Sequence, residues 1–151
     1  MSRDNYGTDK QPVRPLPSPG WKETTVYTFE GPHDSGVQHN IIITIDNEPS
    51  KKIGLKDYAH QQIGNSKQYL PGFEMVQKRE IRLPSGLDGY ELVYKYAPSD
   101  ELVLYQKQVF VIMEEKGYCF TGTFSKKTMK TIVHEVDEII SSFRPGLQEE
   151  E

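Results

Sequence analysis

The chain of 151 residues has a single cysteine, no long apolar run and no excess of positive charge. One cysteine excludes an internal disulfide bond and a thiolate cage for a metal ion. No stretch approaches the roughly 18 apolar residues that a membrane-spanning helix needs. The net charge is −4, and lysine and arginine are scattered along the chain. This pattern predicts that the protein does not bind the phosphate backbone of nucleic acid.

The one cysteine, Cys119, lies between Tyr118 and Phe120. Such a setting is typical of a small buried apolar side chain. No histidine or basic residue adjoins Cys119 to lower the pKa of its thiol. We therefore expect a packing role and not a reactive thiol.

Residues 1–20 are polar, include four prolines, and offer almost nothing to bury, which predicts a disordered arm. The arm contains no apolar leader segment, so we expect a cytoplasmic protein. Residues 21–146 are long enough to bury a core and are expected to form one domain. Residues 147–151 form a charged, acidic tail.

Two strands and a turn are predicted at the start of the domain. Residues 24–29 and 37–46 are rich in β-branched and aromatic side chains, which favour strands. Residues 31–36 are dense in glycine, proline, aspartate and serine, which favour a turn. Together these segments predict a β-hairpin.

Two helices are predicted from apolar residues at helical spacing. The first covers residues 55–70 and is ended by Pro71 and Gly72. The second has an apolar stripe from Met129 to Phe143, with Ser125 as a candidate N-cap.

Four strands lie between the helices, at residues 73–83, 87–97, 101–113 and 118–124. Their connections are short, so they must be antiparallel neighbours. The element order is β-β-α-β-β-β-β-α. It predicts an α+β fold in which an antiparallel six-stranded sheet carries two amphipathic helices.

No pattern of catalytic or metal-binding residues stands out. His33 falls in the hairpin turn, His39 is expected at a sheet edge, and His60 lies on the polar side of the first helix. His134 lacks the second histidine that a zinc-binding helix requires. There is no phosphate-binding glycine loop and no Gly-x-Ser-x-Gly elbow. We expect no enzyme activity, no metal and no cofactor.

The strand at residues 101–113 departs from simple alternation. From Val109 to Met113 both of its faces are apolar, while Gln106 and Gln108 share one face. One explanation is a central strand that is covered on both sides. The other is a second apolar surface that binds a partner protein or a second copy.

The first hairpin favours the second explanation. Val26 and Thr28 point to the face opposite Tyr27 and Phe29, and Ile42 likewise points away from its two isoleucine neighbours. Both faces of this hairpin therefore carry apolar side chains.

Several segments together resemble the DcrB-like family, whose fold is similar to the PsbP-type α/β/α sandwich. They are Gly20-Trp21, residues 26–46 around Asp34-Ser35-Gly36, Gly89-Tyr90-Glu91-Leu92, Gln106-Lys107-Gln108, and residues 135–145. The resemblance covers residues 20–146. The cytoplasmic branch of the family includes the Eag proteins, which are chaperones of type VI secretion effectors, and the missing leader favours that branch.

The resemblance implies a homodimer that shields the N-terminal transmembrane helices of an effector, without inserting into a membrane itself. Such a client needs a concave apolar surface and some amides for its polar or small-residue patches. The implied lining comes from the first hairpin and from glutamines on the first helix (Gln62 or Gln61) and a later strand. The candidate partner-binding residues are Val26, Thr28, Ile42, Ile43, Gln62, Gln106 and Gln108.

Two other functions stay open. A PsbP-like interaction module would bind a folded partner through polar loops. A small-molecule or enzymatic domain would use the tyrosine cluster of Tyr90, Tyr94, Tyr96 and Tyr105, although tyrosines in such strands usually belong to the sheet core.

Overall fold

The computed structural model describes residues 18–21, 24–47 and 53–143. The arm predicted over residues 1–20 lies outside these ranges except for residues 18–20. The predicted tail over residues 147–151 lies outside them entirely.

Six strands and two α-helices follow one another in the predicted order. They are β1 (Thr24–Asp34), β2 (Val37–Asp46), α1 (Leu55–Lys67), β3 (Glu74–Arg82), β4 (Asp88–Ser99), β5 (Leu102–Met113), β6 (Lys116–Phe124) and α2 (Ile132–Ser141). The strands form one antiparallel sheet in the spatial order β1-β2-β6-β5-β4-β3. The predicted α+β fold is confirmed.

The two helices lie on opposite faces of the sheet, and each covers its own core. We call these faces the α1 face and the α2 face. On the α1 face, helix α1 buries Tyr58, Ala59 and Ile63 against Tyr90, Leu92, Tyr94 and Phe110. On the α2 face, helix α2 buries Ile132, Val133, Val136 and Ile140 against Ile41, Val109, Val111, Phe120 and Phe124. Each valine, leucine, isoleucine or phenylalanine among them contributes about 1.5–3 kcal/mol when fully buried.

Strand β5 lies inside the sheet, between β6 and β4. Its residues Val109 and Val111 pack in the α2 core, while Phe110 and Ile112 pack in the α1 core. The apolar run of this strand is therefore explained by a central strand that is covered on both sides.

Strand β1 is longer than predicted. It continues to Asp34 because a β-bulge between Glu30 and His33 absorbs the irregular residues that were predicted as a turn. Pro32 has no N–H group, and an edge strand tolerates it there. The chain reverses at Ser35, whose φ is 53°.

Both helices are shorter than predicted. Helix α1 ends at Lys67, and α2 begins at Ile132 instead of after Ser125. Ser125 instead precedes a short 3₁₀ helix (Thr128–Lys130) whose N-cap residue is Lys127, and its Oγ accepts a hydrogen bond from the Thr128 N–H at 3.1 Å. Among the described residues, no helix is long and apolar enough to cross a bilayer.

The prediction that His39 marks a sheet edge is wrong. Strand β2 lies between β1 and β6, and the His39 side chain is buried. Its Nδ1 lies 3.0 Å from the Pro32 carbonyl oxygen and its Nε2 lies 2.8 Å from Thr128 Oγ1. A carbonyl can only accept, so Nδ1 donates to it, and Nε2 forms a hydrogen bond with the Thr128 hydroxyl. With both nitrogens satisfied, the ring can be buried.

Candidate partner-binding groove

The α1 face is only partly covered by its helix. Helix α1 packs mainly on β4 and β5, so the β1–β2 hairpin extends beyond it. Val26 pairs with Thr44 and Thr28 pairs with Ile42, which places all four on the α1 face. Val26 is 55% exposed, and Ile42 is also exposed. The hairpin therefore presents an apolar shelf beside α1.

A cavity of about 310 Å³ separates this shelf from α1. We call the shelf and the cavity together the groove. Helix α1 forms one wall, the hairpin forms the other, and β5 and β6 supply the floor. The cavity is lined by Thr24, Thr44, Asp46, Tyr58, Gln62, Ser66, Gln108, Phe110, Cys119 and Thr121.

Six of the seven candidate residues lie on the α1 face. They are Val26, Thr28, Ile42, Gln62, Gln106 and Gln108. Ile43 lies on the other face, where it packs against the α2 core opposite Phe120. Neighbouring residues of a strand point to opposite sides of the sheet, so only one of Ile42 and Ile43 can join the groove.

The two neighbouring glutamines of α1 also differ. Gln62 is half-buried and lines the cavity. Gln61 is exposed and does not line it. Of the two alternatives left open by the sequence, the geometry brings Gln62 to the groove.

Gln106 is held by both of its neighbouring strands. The Tyr94 hydroxyl donates to Gln106 Oε1 at 2.5 Å, and Gln106 Nε2 donates to Thr123 Oγ1 at 3.0 Å. Burial raises the pKa of Tyr94, which keeps its hydroxyl protonated as a donor. These bonds fix the orientation of the Gln106 amide beside the groove.

The side-chain amide of Gln108 has fewer hydrogen-bond partners than that of Gln106. Its Nε2 donates to Thr121 Oγ1 at 3.1 Å. Its Oε1 is buried and has no hydrogen-bond partner among the described residues. A buried acceptor left unpaired costs about 1–3 kcal/mol. An unpaired amide oxygen in the groove floor favours a bound segment that brings a donor.

Cys119 has the predicted packing role, and it also lines the cavity. It is partly buried and packs against the α1 core. Burial raises the pKa of the Cys119 thiol to about 12, so the thiol stays protonated. The Sγ atom lies 3.5 Å from Thr121 Oγ1.

The tyrosine cluster does not surround one pocket. Tyr90, Tyr94 and Tyr96 belong to the α1 core, whereas Tyr105 packs against the α2 core on the other face. Across residues 18–21, 24–47 and 53–143, no three His, Cys, Asp or Glu side chains are grouped so that they could hold a metal ion.

Sequence reasoning missed a buried charge network on the α2 face. The nearly buried Glu91 carboxylate contacts Arg79 Nε at 2.6 Å and Lys107 Nζ at 2.9 Å. Lys107 Nζ also lies 2.7 Å from Asp137 Oδ1 of α2. The signal was present, since Glu91, Lys107 and Asp137 come from three of the segments that carry the family resemblance. The network ties β3, β4, β5 and α2 together.

The network shifts the pKa values of its buried members. Burial alone would raise the pKa of Glu91, but hydrogen bonds from Arg79 and Lys107 outweigh it and lower the pKa. Burial alone would lower the pKa of Lys107, but hydrogen bonds to Asp137 and Glu91 raise it. Both groups are therefore held in their charged forms.

Comparison with known proteins gives a family and a fold. The family model described as DcrB matches residues 15–142. No curated protein matches the chain.

Solved structures with the same fold include the following three. PA94 from Pseudomonas aeruginosa, a protein of unknown function described as a candidate regulator, has a TM-score of 0.69 at 19% identity, over 84% of this chain and 87% of that one. LpqN of Mycobacterium tuberculosis, involved in cell envelope biogenesis, has a TM-score of 0.54 at 12% identity, over 81% and 83%. The cyanobacterial PsbP of Synechocystis has a TM-score of 0.54 at 15% identity, over 87% and 97%.

Proposed function

Because the chain belongs to the DcrB family, we propose that it is a non-catalytic cytoplasmic chaperone or adaptor. It binds the apolar transmembrane helices of a type VI secretion effector and shields them from water. The observation that carries the proposal is the groove, where an exposed apolar shelf faces α1 across a floor of amide and hydroxyl groups.

The chemistry of the groove suits such a client. Val26 and Ile42 offer exposed apolar surface that gains from burial against another apolar surface. Gln62 and Gln108 can both donate and accept hydrogen bonds. Transmembrane helices that associate with each other use small and polar residues at their contacts. A surface that is apolar with a few amides can replace those contacts.

The size of the groove favours action as a homodimer. A helix of about 20 residues is about 30 Å long and about 10 Å wide. A cavity of about 310 Å³ in one copy covers only a small part of such a helix. Two copies double the apolar surface that is available to one client.

The first test uses two matched valines on opposite edge strands. Val26 of β1 and Val76 of β3 are 55% and 51% exposed. The full-length protein is co-expressed with an effector's N-terminal hydrophobic segment, and the soluble segment is measured. We expect Val26→Asp to abolish capture, because a buried unpaired charge is strongly unfavourable. Val76→Asp should leave capture unchanged. Equal capture by both variants contradicts the groove assignment.

The second test uses the neighbouring glutamines. Gln62→Ala removes an amide that lines the cavity, whereas Gln61→Ala removes one that does not. We expect Gln62→Ala to weaken binding of the segment by about tenfold, the equivalent of about 1.4 kcal/mol. Gln61→Ala should bind as the unaltered protein does. If Gln61→Ala is the weaker binder, the groove is placed on the wrong side of α1.

A second candidate function rests on a strained acidic turn. Glu114 and Glu115 join β5 to β6 with φ values of 53° and 65°. Positive φ at both central positions usually selects asparagine and glycine, so two glutamates are unfavourable there. Strain of this kind is compatible with a PsbP-like module that binds a folded partner through polar loops. In that case Glu114→Asn with Glu115→Gly abolishes partner binding while stabilising the hairpin, and light scattering finds a monomer.

A further inference from the structure

The outer edge of β1 lacks the features that usually protect a sheet edge. Strand β1 is the last strand of the sheet, and among the described residues no strand pairs with its outer side. The six residues from Thr24 to Phe29 carry no charge. Proteins usually protect such edges with charges, bulges, prolines or a covering segment, because the backbone N–H and C=O groups of the edge can pair with another strand. This stretch of β1 can therefore accept one more strand.

The side chains along this edge are apolar on both faces of the sheet. Val26 points to the α1 face and is 55% exposed. Tyr27 and Phe29 point to the α2 face, because they pair with Ile43 and Ile41 of that face. They are 53% and 52% exposed. A strand added beside β1 would therefore cover apolar surface on both faces at once.

Neither helix blocks access to this edge. Helix α1 packs mainly on β4 and β5, and α2 packs mainly on β6. Both helices lie on the faces of the sheet and inward from β1. Within the described part of the chain, a second folded copy can therefore bring its own β1 alongside without a clash between helices.

We propose that two copies of the chain join by antiparallel pairing of β1 with β1 of the second copy. A two-fold axis perpendicular to the sheet then passes beside Tyr27, and the two six-stranded sheets become one. A charge near such an axis meets the same charge of the second copy, and like charges directly opposite each other are destabilising. Self-pairing therefore requires an uncharged stretch, which residues 24–29 provide. A partner strand of a different sequence would not require it.

The register is centred on Tyr27. Residues equally far from Tyr27 on either side face each other, from Thr24 to Glu30. Facing residues lie on the same face of the joined sheet, because a perpendicular two-fold axis keeps the two faces apart. Besides Tyr27 with itself, the facing pairs are Val26 with Thr28, Thr25 with Phe29, and Thr24 with Glu30.

Other centres of symmetry are less favourable. A centre on Thr28 would place the charged Glu30 opposite the apolar Val26. Pro32 of the β-bulge would also enter the pairing, although it has no N–H group to donate. A centre on Val26 would place Phe29 opposite a residue that precedes β1. The centre on Tyr27 uses the whole uncharged stretch and stops before the bulge.

The interface is small, so the dimer should be weak without a client. Its seven residues from each copy, Thr24 to Glu30, compare with about 20–30 on each side of a stable interface. In this arrangement the α1 faces of both copies point the same way, and the two apolar shelves become neighbours. A client that contacts both shelves strengthens the dimer, a consequence that rests on the proposed function.

The test places a charge at the two-fold axis of the full-length protein. Tyr27→Lys sets two like charges opposite each other and leaves the groove unchanged, because Tyr27 points to the α2 face. We expect the dissociation constant of the dimer, measured by sedimentation without a client, to rise at least about tenfold. Val76→Lys on the β3 edge is the matched control, since Val76 is 51% exposed, and its dimer should be unaltered.

A mixture of two variants tests the symmetry. Tyr27→Glu alone should also dimerise weakly, and an equal mixture of Tyr27→Lys and Tyr27→Glu should restore the dimer, because opposite charges then face each other. A mixture that stays as weak as its components overturns the proposal. An unaltered dissociation constant in Tyr27→Lys overturns it too, as does an unaltered protein that stays monomeric at its highest soluble concentration.

Client capture, measured by co-expression, separates this proposal from the function of the groove. If Tyr27→Lys weakens the dimer while Val26→Asp captures the client as well as the unaltered protein does, the pairing holds and the groove assignment fails. If capture depends on Val26 but the dissociation constant does not depend on Tyr27, the groove assignment holds and the pairing is overturned.

Discussion

The two edge strands of the sheet, β1 and β3, differ in how well they are protected against pairing with other chains. In β3, five of nine residues are charged, and a bulge between Met75 and Gln77 interrupts its pairing. In β1, the first six residues carry no charge, and the bulge comes only after Glu30. Charges and bulges discourage pairing with other chains. The β3 edge is therefore protected against pairing, whereas no described strand pairs with the outer edge of the first half of β1.

The strands next to these edges differ in the same way. We call β3 and β4 the closed end of the sheet, and β1 and β2 the open end. At the closed end, β4 is buried along much of its length, and its Glu91 carboxylate forms ion pairs with the side chains of Arg79 and Lys107. At the open end, β1 exposes apolar side chains on both faces. A sheet can thus be stabilised at one end while the other keeps apolar surface for binding.

The largest loss of stability should come from breaking the buried charge network around Glu91 and Lys107. Lys107→Met leaves the buried Glu91 with only the half-exposed Arg79, and we expect a loss of about 3 kcal/mol in the free energy of unfolding. Urea denaturation measures it. Arg82→Met is the control, because Arg82 pairs with Asp88 on the surface and should cost less than about 0.5 kcal/mol. Equal losses would remove the distinction between the network and a surface pair.

Acid should weaken the closed end through Glu91. Its pKa in the folded protein lies below the ordinary value of 4.5, so its stabilising effect is fully present above that value. The effect is lost as the pH falls through the lowered pKa. We expect the free energy of unfolding to fall below about pH 4.5 and Glu91→Gln to flatten that fall. An unchanged acid slope in Glu91→Gln would assign the acid sensitivity to other carboxylates.

Replacing a valine by alanine should lower the free energy of unfolding more at the closed end than at the open end. Val93 of β4 is buried, whereas Val26 of β1 is exposed. Val93→Ala removes buried methyl groups and should cost about 1.5–2 kcal/mol. Val26→Ala should cost less than about 0.5 kcal/mol. Thermal denaturation of both variants checks this, and a large loss in Val26→Ala would show that the open end is part of the core.

The smallest predicted effect is an increase in the free energy of unfolding. Gly64 lies inside α1, and a Cβ atom added there meets open space. Gly64→Ala should raise the free energy of unfolding by about 0.5–1 kcal/mol. Client capture by the groove should not change. Gly117→Ala is the contrasting variant, because its Cβ would collide with the Tyr58 ring and disturb α1. A loss of stability in Gly64→Ala would mean that α1 is strained.

Much of the fold could be predicted because its signals are local. Alternating side chains in residues 24–29 and 37–46, and the helical spacing from residue 55, identify elements without knowledge of their neighbours. The positions at which these strands and helices begin and end were predicted less accurately. The bulge after Glu30 and the 3₁₀ turn at Thr128 depend on contacts with β2 and with His39, which lie far away in sequence or across the sheet.

The candidate site was also predictable only in part. Alternation places Val26 and Thr28 on one face of a strand, but it cannot say which β2 residue joins them. That depends on the register, which pairs Thr28 with Ile42 and turns Ile43 to the other core. The burial of His39 was missed for the same reason, since its partner Thr128 is 89 residues away.

The sequence by itself determined that one cysteine permits no disulfide, that the elements follow in the order β-β-α-β-β-β-β-α, and that one strand is apolar on both sides. Tertiary structure alone decided that β2 pairs with β6, which makes both of them interior strands, and that the helices take opposite faces. The reason is physical. Periodicity shows which side chains share a face, but only the pairing of distant strands shows whether that face is covered.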